Sequence, residues 1–418
     1  MSILFVLTII CSSKAIDFTV GGINYTTTGT NTAKVIKGNY SGALTIPSSV
    51  TYSSVIYSIT SIGGDSFRDC TGLTSITIPT SVTSIQSYAF LNCAGLFTVN
   101  PSNSVYSSKD GVLYNKNQTI LIQCPISVTG SFIIQSSVVS IGDFAFAYCT
   151  RLTNISIPSS TTIGGFAFRG CAGLITIVNP NEWSSYSSKD GVLYNRNQTV
   201  LIYCPISLTG SFTIPSSVTN LNGSAFWGCT GLTSITIPSS VTHISDQAFE
   251  GCTGLTSIDI PSSVKSIGYS AFWGCTGLTS ITIPSSVTTI SDYAFSGCTG
   301  LTSITIPSSV TTISNLAFWN CAGLFTVDSN NSNYSSKDGV LYNKNQTTLI
   351  QCPISVTGSF TIPSSVTSIK SNAFYGCTGL TSITIPTSVT TIEYIAFSNC
   401  TGLFTVDSNN SNYSSKDG

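Results

Sequence analysis

Eleven Phe-x-x-Cys motifs punctuate the chain, and their cysteines are the residues with the most chemistry to offer. They are Cys70, Cys93, Cys149, Cys171, Cys229, Cys252, Cys275, Cys298, Cys321, Cys377 and Cys400. From Cys229 to Cys321 the spacing is 23 residues without exception. Thiols so arranged could pair as disulfides, ligate a metal, or sit buried as small apolar side chains. Zinc needs paired ligands at short spacing or a histidine cluster; the chain has no Cys-x-x-Cys and one histidine. A disulfide framework stays open, because such frameworks are common in secreted proteins. The repeat itself favours buried free thiols. Equivalent side chains of in-register coils lie about 4.8 Å apart, longer than the ~3.8 Å Cβ separation that a disulfide wants.

Little other reactive chemistry is available. His243 stands in Val-Thr-His-Ile-Ser, at a variable position expected to face solvent. Asp110, Asp190, Asp338 and Asp417 all stand in Lys-Asp-Gly, and Asp-Gly is a turn signal. Calcium ligation would need further oxygen ligands at alternate positions, and these are missing. No phosphate loop, nucleophile elbow or zinc signature is present. The sequence therefore predicts no catalytic residues, no metal and no cofactor. Charged residues make up 7% and the net charge is −1. That excludes the basic footprint of a nucleic-acid partner and gives no basis for docking on anionic lipid.

The elements that carry the cysteines follow from the repeat. Its consensus is Cys-x-Gly-Leu-x-x-Ile-x-Ile-Pro-x-Ser-Val-x-x-Ile-x-x-x-Ala-Phe-x-x. In one copy Ile235 and Ile237 alternate with Ser234 and Thr236, the period of a half-buried strand. Pro238 ends the strand because it cannot donate to a ladder. Val241 and Ile244 return inward, and Ala248-Phe249 are expected in a short helical turn. Gly231 and Gly251 are expected at tight bends. One coil cannot bury its own apolar side, but stacked coils share a core and a parallel sheet with one strand each. The fold class predicted is thus a repeat solenoid.

A second block interrupts the array three times, from Tyr106, Tyr186 and Tyr334, as Tyr-Ser-Ser-Lys-Asp-Gly-Val-Leu-Tyr-Asn followed by a Leu-Ile strand. It predicts β-hairpins with a four- or five-residue loop, inserted at about residues 104–135, 184–215 and 332–363 and projecting from the array. Residues 1–15 read as a signal peptide, with Ser13 and Ala15 as small residues before the cleavage site. Residues 16–60 read as an N-terminal β cap and 61–418 as the array. No second apolar run long enough to span a membrane follows. The last residues copy the start of the block and stop within it, as if truncated.

These residues resemble the BspA-type leucine-rich repeat family. The resemblance rests on Leu-x-x-Ile-x-Ile-Pro-x-Ser-Val-x-x-Ile-x-x-x-Ala-Phe-x-x-Cys at a 23-residue period, on Lys-Asp-Gly-Val-Leu-Tyr, and on the opening Gly-Gly-Ile-Asn-Tyr. It implies a right-handed leucine-rich-repeat superhelix on a cell surface. It also implies an adhesin contacting host extracellular matrix proteins, cell-surface proteins or glycans. It supplies no catalytic residues. Two departures stand out: the copy from Ile157 to Cys171 is one residue short, and Ser66 replaces Ala before Phe67.

Three features could carry recognition. Trp227, Trp273 and Trp319 follow Phe on every second coil, predicting an aromatic stripe. Ser-x-Thr pairs such as Ser234 and Thr236 predict a hydroxyl array on the strand face. The hairpins carry some of the few charges, including Lys109, Lys116 and Arg196. Asn-x-Ser/Thr sequons such as Asn24, Asn154 and Asn222 predict glycosylation in a eukaryotic secretory route. A non-binding structural spacer is the competing expectation.

Overall fold

Alternation in Leu-Thr-Ser-Ile-Thr-Ile-Pro places every second side chain inward, and these segments are the strands of a parallel-strand β-solenoid. The computed structural model describes residues 15–178 and 184–416. Residues 1–14 of the expected signal segment, and Asp417, lie outside the described residues. Two units are present: one runs to Thr129 and takes in Gln135–Arg151 and Thr161–Phe168, and the other comprises Gly130–Ile134, Leu152–Ser160 and the chain from Arg169.

The second unit has the regular stack. Six strands, Gly210–Thr213, Leu232–Thr236, Ser257–Asp259, Ser280–Thr282, Ser303–Ile306 and Leu324–Val327, pair in sequence order. Ile235 lies opposite Ile258, and Ile258 opposite Ile281. Each coil adds a two-residue strand to a second parallel ladder, His243–Ile244, Ser266–Ile267, Thr289–Ile290 and Thr312–Ile313. Phenylalanine rings fill the interior as a column. Phe272 and Phe295 have ring centroids 5.2 Å apart with planes 1° from parallel.

The third side of each coil is not helical, and no helix occurs among the described residues. In place of the expected helical turn are successive β-turns: Ala225, Trp227 and Cys229 donate to the carbonyls three residues back. Ser224 (φ 60°) and Gly228 (φ 68°) are left-handed, and two such residues four apart interrupt any right-handed helical run. The freed N–H groups of Ser224, Phe226 and Gly228 point along the stack and donate to Asp246, Ala248 and Glu250 of the next coil. Gly251 does occupy a positive-φ bend, at 73°. Gly231 does not: a Cβ there would sit 2.7 Å from Thr209 Cγ2 and 2.9 Å from the Leu208 carbonyl. Gly231 does lie in the Cys229–Leu232 turn, and close approach of the preceding coil is what excludes a side chain there.

The first unit starts with the sheet Asp17–Val20, Ile23–Gly29, Thr32–Val35, Val55–Ile62 and Ser49–Tyr52. Phe18 stacks on Tyr52 at 4.5 Å and on Tyr25 at 5.5 Å, so aromatic rings close the open end of the core. The first solenoid strand, Gly42–Thr45, already pairs with Leu73–Ile78 and therefore lies inside the span expected to be cap. Ser66 is fully buried and donates to the Val35 and Gly63 carbonyls at 2.8 and 2.7 Å, which accounts for a hydroxyl in place of Ala. In the short copy Ile163 still pairs with Ile141, so the second ladder is undisturbed.

The interrupting block contains the expected hairpin, Val112–Asn115 with Ile120–Gln123 across a four-residue loop, extended by a third strand into a meander that is packed into the stack and does not project. Tyr106–Lys109 pairs with Val112–Asn115, which pairs with Ile120–Gln123. Asp110 (φ 51°) and Gly111 (φ 77°) form the two-residue turn, as both central residues of a type I′ hairpin require. Ile120–Gln123 then joins Ser140–Ile141 in parallel. Val112, Leu113 and Tyr114 are consecutively buried, so the block is folded into the stack. Asn103, fully buried, locks its entry. It donates to Pro79 and Val82 carbonyls at 2.7 and 2.9 Å and accepts from the Val105 and Tyr106 N–H groups. Asn331 repeats all four bonds.

Phe272→Ala tests the column. Its ring is fully buried between Phe249 and Phe295, so the substitution should cost about 3–5 kcal/mol. His243→Ala, on the exposed face, should stay within ~0.5 kcal/mol. Both are read from urea unfolding; equal effects would show that the rings do not carry the stack.

Candidate functional site

The cysteines point into the core beside the Phe column. Fourteen are present as free thiols among the described residues, thirteen buried and Cys400 half-buried. Each thiol of the regular coils has a specific acceptor. Cys252 Sγ donates to the Phe226 carbonyl at 3.1 Å, Cys275 to Phe249 at 3.1 Å and Cys298 to Phe272 at 3.2 Å. That carbonyl already accepts the N–H of the cysteine in its own coil, so the thiol uses its second lone pair. Cys124, Cys204 and Cys352 of the interrupting blocks continue the arrangement: their carbonyls accept the thiols of Cys149, Cys229 and Cys377 at 3.6–3.7 Å. Burial disfavours the thiolate and pushes Cys93 and Cys275 up to about 12 and Cys252 well above the usual thiol range. Among the described residues no three His, Cys, Asp or Glu side chains cluster as metal ligands.

Trp227, Trp273 and Trp319 do not present three equivalent faces. Trp273 is 44% exposed; Trp227 and Trp319 are half-buried. Trp227 Nε1 donates to Glu250 Oε1 at 2.9 Å, and the Arg169 guanidinium lies 4.7 Å over its ring. Trp319 packs on Tyr375 at 4.9 Å. Between them Glu250 and Ser296 are buried. The expected stripe is therefore one exposed ring flanked by two rings held in contacts.

The larger aromatic exposure lies on the other side of Ala-Phe. The residue before Ala is left-handed in coil after coil, and where it or the residue preceding it is aromatic, the ring is exposed or half-buried. In the first unit Tyr88, Phe144 and Phe166 occupy this left-handed position. Tyr88 meets Phe144 edge-on at 5.1 Å, and Phe144 stacks on Phe166 at 5.4 Å. Tyr88 is 48% and Phe166 41% exposed. In the second unit the exposed Tyr269 meets Tyr293 edge-on at 5.8 Å. The signal was present in the sequence as aromatic residues two or three places before Phe, but only the left-handed backbone reveals that they face out.

The strand face is less regular. Ser234 Oγ donates to Ser211 Oγ at 2.9 Å. Thr236, however, lies opposite Asp259, so a carboxylate breaks the hydroxyl row. His243 is exposed, with Nδ1 2.8 Å from Thr242 Oγ1. Two pockets open where a block replaces the Ala-Phe turn by Gln-Cys-Pro. One, of about 640 Å³, contains Gln351 and is rimmed by the Lys370–Glu393 ion pair at 2.8 Å. The other, of about 240 Å³, contains Gln123, Tyr88 and Phe144. In the remaining block Tyr203 stands where the others have Gln; it is buried and its hydroxyl donates to the Cys171 carbonyl.

Comparison with known proteins places these features in a family context. A model of the BspA type leucine-rich repeat region in six copies matches residues 45–131, 126–210, 198–325 and 351–417. Among solved structures the chain is similar to a leucine-rich cell surface protein of Faecalibacterium prausnitzii, at 26% identity over 95% of this chain and 77% of that one, TM-score 0.41. It is also similar to the pneumococcal vaccine antigen PcpA, at 18% identity over 90% and 98%, TM-score 0.42. A third similarity is to a leucine-rich repeat protein of Bacteroides ovatus, at 25% identity over 94% of each, TM-score 0.36. No curated protein matches the chain.

The thiol column yields a pH prediction. A thiol raised from about 9 to about 12 by folding holds its proton more tightly in the folded state. Its contribution is complete below pH 9 and is lost as the pH rises toward 12. The urea midpoint should hold to about pH 8.5 and then fall. At pH 8 the native protein should react with a thiol reagent far more slowly than the unfolded chain. Rapid native labelling of Cys252 or Cys275, mapped by peptide mass, would contradict this.

Proposed function

The chain belongs to the BspA-type leucine-rich repeat family, and from that premise we propose that it is a secreted or surface-displayed adhesin. It binds host extracellular matrix proteins, cell-surface proteins or glycans by contact along the turn edge of its coils, without catalysing a reaction. The observation that carries this reading is the set of large aromatic residues held outward at that edge. Exposed Tyr269 and Trp273 in one unit and Tyr88 and Phe166 in the other supply rigid amphipathic contact area. Tyrosine and tryptophan are the residues most often found as interface anchors. Tyr88 and Phe166 are held at positive φ, an uncommon state for bulky residues. Strain of that kind concentrates at functional positions. The near-neutral, charge-poor composition fits recognition by apolar and hydroxyl contact in place of electrostatic steering.

Soluble protein, added to surfaces coated with fibronectin or fibrinogen and to host-cell monolayers, should bind saturably. The Tyr269→Ala/Trp273→Ala double variant should bind at least tenfold more weakly, with an unchanged unfolding midpoint, because both side chains are nearly half exposed. Binding of the double variant equal to that of the parent would move the contact surface elsewhere. No binding to any of the three targets would favour the structural spacer.

A further inference from the structure

The repeat puts Glu250 where neighbouring coils have Trp227 and Trp273, directly after Phe. A carboxylate is thus carried into an aromatic edge. Glu250 is only 5% exposed. Its Oε1 accepts from Trp227 Nε1 at 2.9 Å and faces an Arg169 guanidinium nitrogen at 3.3 Å. Its Oε2 is buried and has no hydrogen-bond partner. A buried carboxylate oxygen without a donor is costly, and an ionised carboxylate offers about four acceptor sites.

Glu250 also lines a pocket of about 170 Å³ with Gln247, Tyr269, Ser270, Trp273, Tyr293 and Trp319. Four aromatic rings and one carboxylate therefore bound a single small space. Aromatic faces attract cations within about 6 Å of the ring centre, and a charge-assisted hydrogen bond to a carboxylate is roughly twice as strong as a neutral one. The volume is well below the ~300–1,000 Å³ of drug-sized sites, so it suits a head group, not a whole ligand. Trp273 and Tyr269, 44% and 45% exposed, leave the mouth open to solvent.

We propose that this pocket binds a primary ammonium group, with the ammonium donating to Glu250 Oε2 and its alkyl stem lying against Trp273 and Trp319. The inference deepens the adhesive reading at one point of the edge and rests on it for its biological setting. A lysine side chain of a protein partner and a free alkylamine share this chemistry. Arg169, stacked on Trp227 and paired with Glu250 Oε1, is not among the residues that line the pocket and leaves Oε2 without a donor.

The test uses n-butylammonium chloride, butan-1-ol as the neutral counterpart, and a lysine-containing peptide with and without acetylation of the lysine. Indole N–H signals of the four tryptophans are followed by NMR at low salt. The ammonium should shift the Trp273 and Trp319 signals saturably, and butan-1-ol should need at least tenfold higher concentration. The peptide should bind only unacetylated if a protein lysine is the source; binding of the alkylamine alone assigns the pocket to small amines. Glu250→Gln should weaken ammonium binding at least tenfold. If that variant misfolds through loss of the Arg169 contact, Trp273→Ala, an exposed change, should do the same with the fold intact, read on the Trp319 signal. Equal binding of butan-1-ol, no binding of the ammonium, or unaltered binding to Trp273→Ala would overturn the proposal. Failure here with matrix binding intact removes the pocket and keeps the adhesive edge; ammonium binding without matrix binding does the reverse.

Discussion

Register between successive coils is the constraint on which everything else rests. Within the second unit, hydrogen bonds run from coil to coil on the main ladder, on the second ladder and on the turn side. In the regular run these bonds go with a constant period of 23; where a coil is shorter, as before Cys171 or between Cys321 and Leu324, the ladders are still formed. Like side chains then lie on like: Ile on Ile, Phe on Phe, thiol beside thiol. Column packing at strand spacing restricts variation inside, where an exception is Phe opposite Ile, as Phe325 lies opposite Ile304, and most variation falls on the outer positions.

Cysteine suits its column for a physical reason that serine or alanine would not satisfy equally. The thiol is small and apolar enough to pack beside a Phe ring, yet it can still donate to a carbonyl that needs a second partner. Alanine would leave that lone pair unmatched. Serine would donate more strongly but would bring a polar hydroxyl to every level of a dry core. Burial then holds the thiols protonated, so the same packing that stabilises the column keeps it chemically quiet.

Much of this was legible in the residues. The alternation of Leu-x-x-Ile-x-Ile located the strands, the period located the stack, and Lys-Asp-Gly located a tight turn. The turn side was not legible. The left-handed position before Ala holds Ser, Gln, Asn, Tyr, Phe, Leu or Ile in different coils, with no glycine to announce it. Ala-Phe followed by a short polar run reads as a helical turn when only local propensity is weighed. The block was legible as a hairpin but not as a third strand packed into the stack. Val112, Leu113 and Tyr114 do not alternate because both faces of their strand are covered, and a hairpin read in isolation has no second cover. The tryptophan positions were visible, but not their environment: Glu250 meets Arg169 across 81 residues of sequence, a contact set by stacking order and not by spacing.

A left-handed bulky residue costs of order 1–3 kcal/mol, and a chain without compensation would relax it. In the regular stack such residues are clamped by their own coil and the next: the N–H of Tyr293, at φ 57°, donates to the Asn315 carbonyl, and its carbonyl accepts from Ser296. Because the backbone is held from both sides, the side chain at that position need not favour the conformation. It is free to be chosen for what it touches outside. The solenoid thus separates two jobs that compete in most folds. Inward positions settle the structure through repetition, and edge positions can be exchanged for contact at little risk to it. Aromatic rings at Tyr88, Phe166 and Tyr269, and a carboxylate carried inward at Glu250, are what such freedom permits.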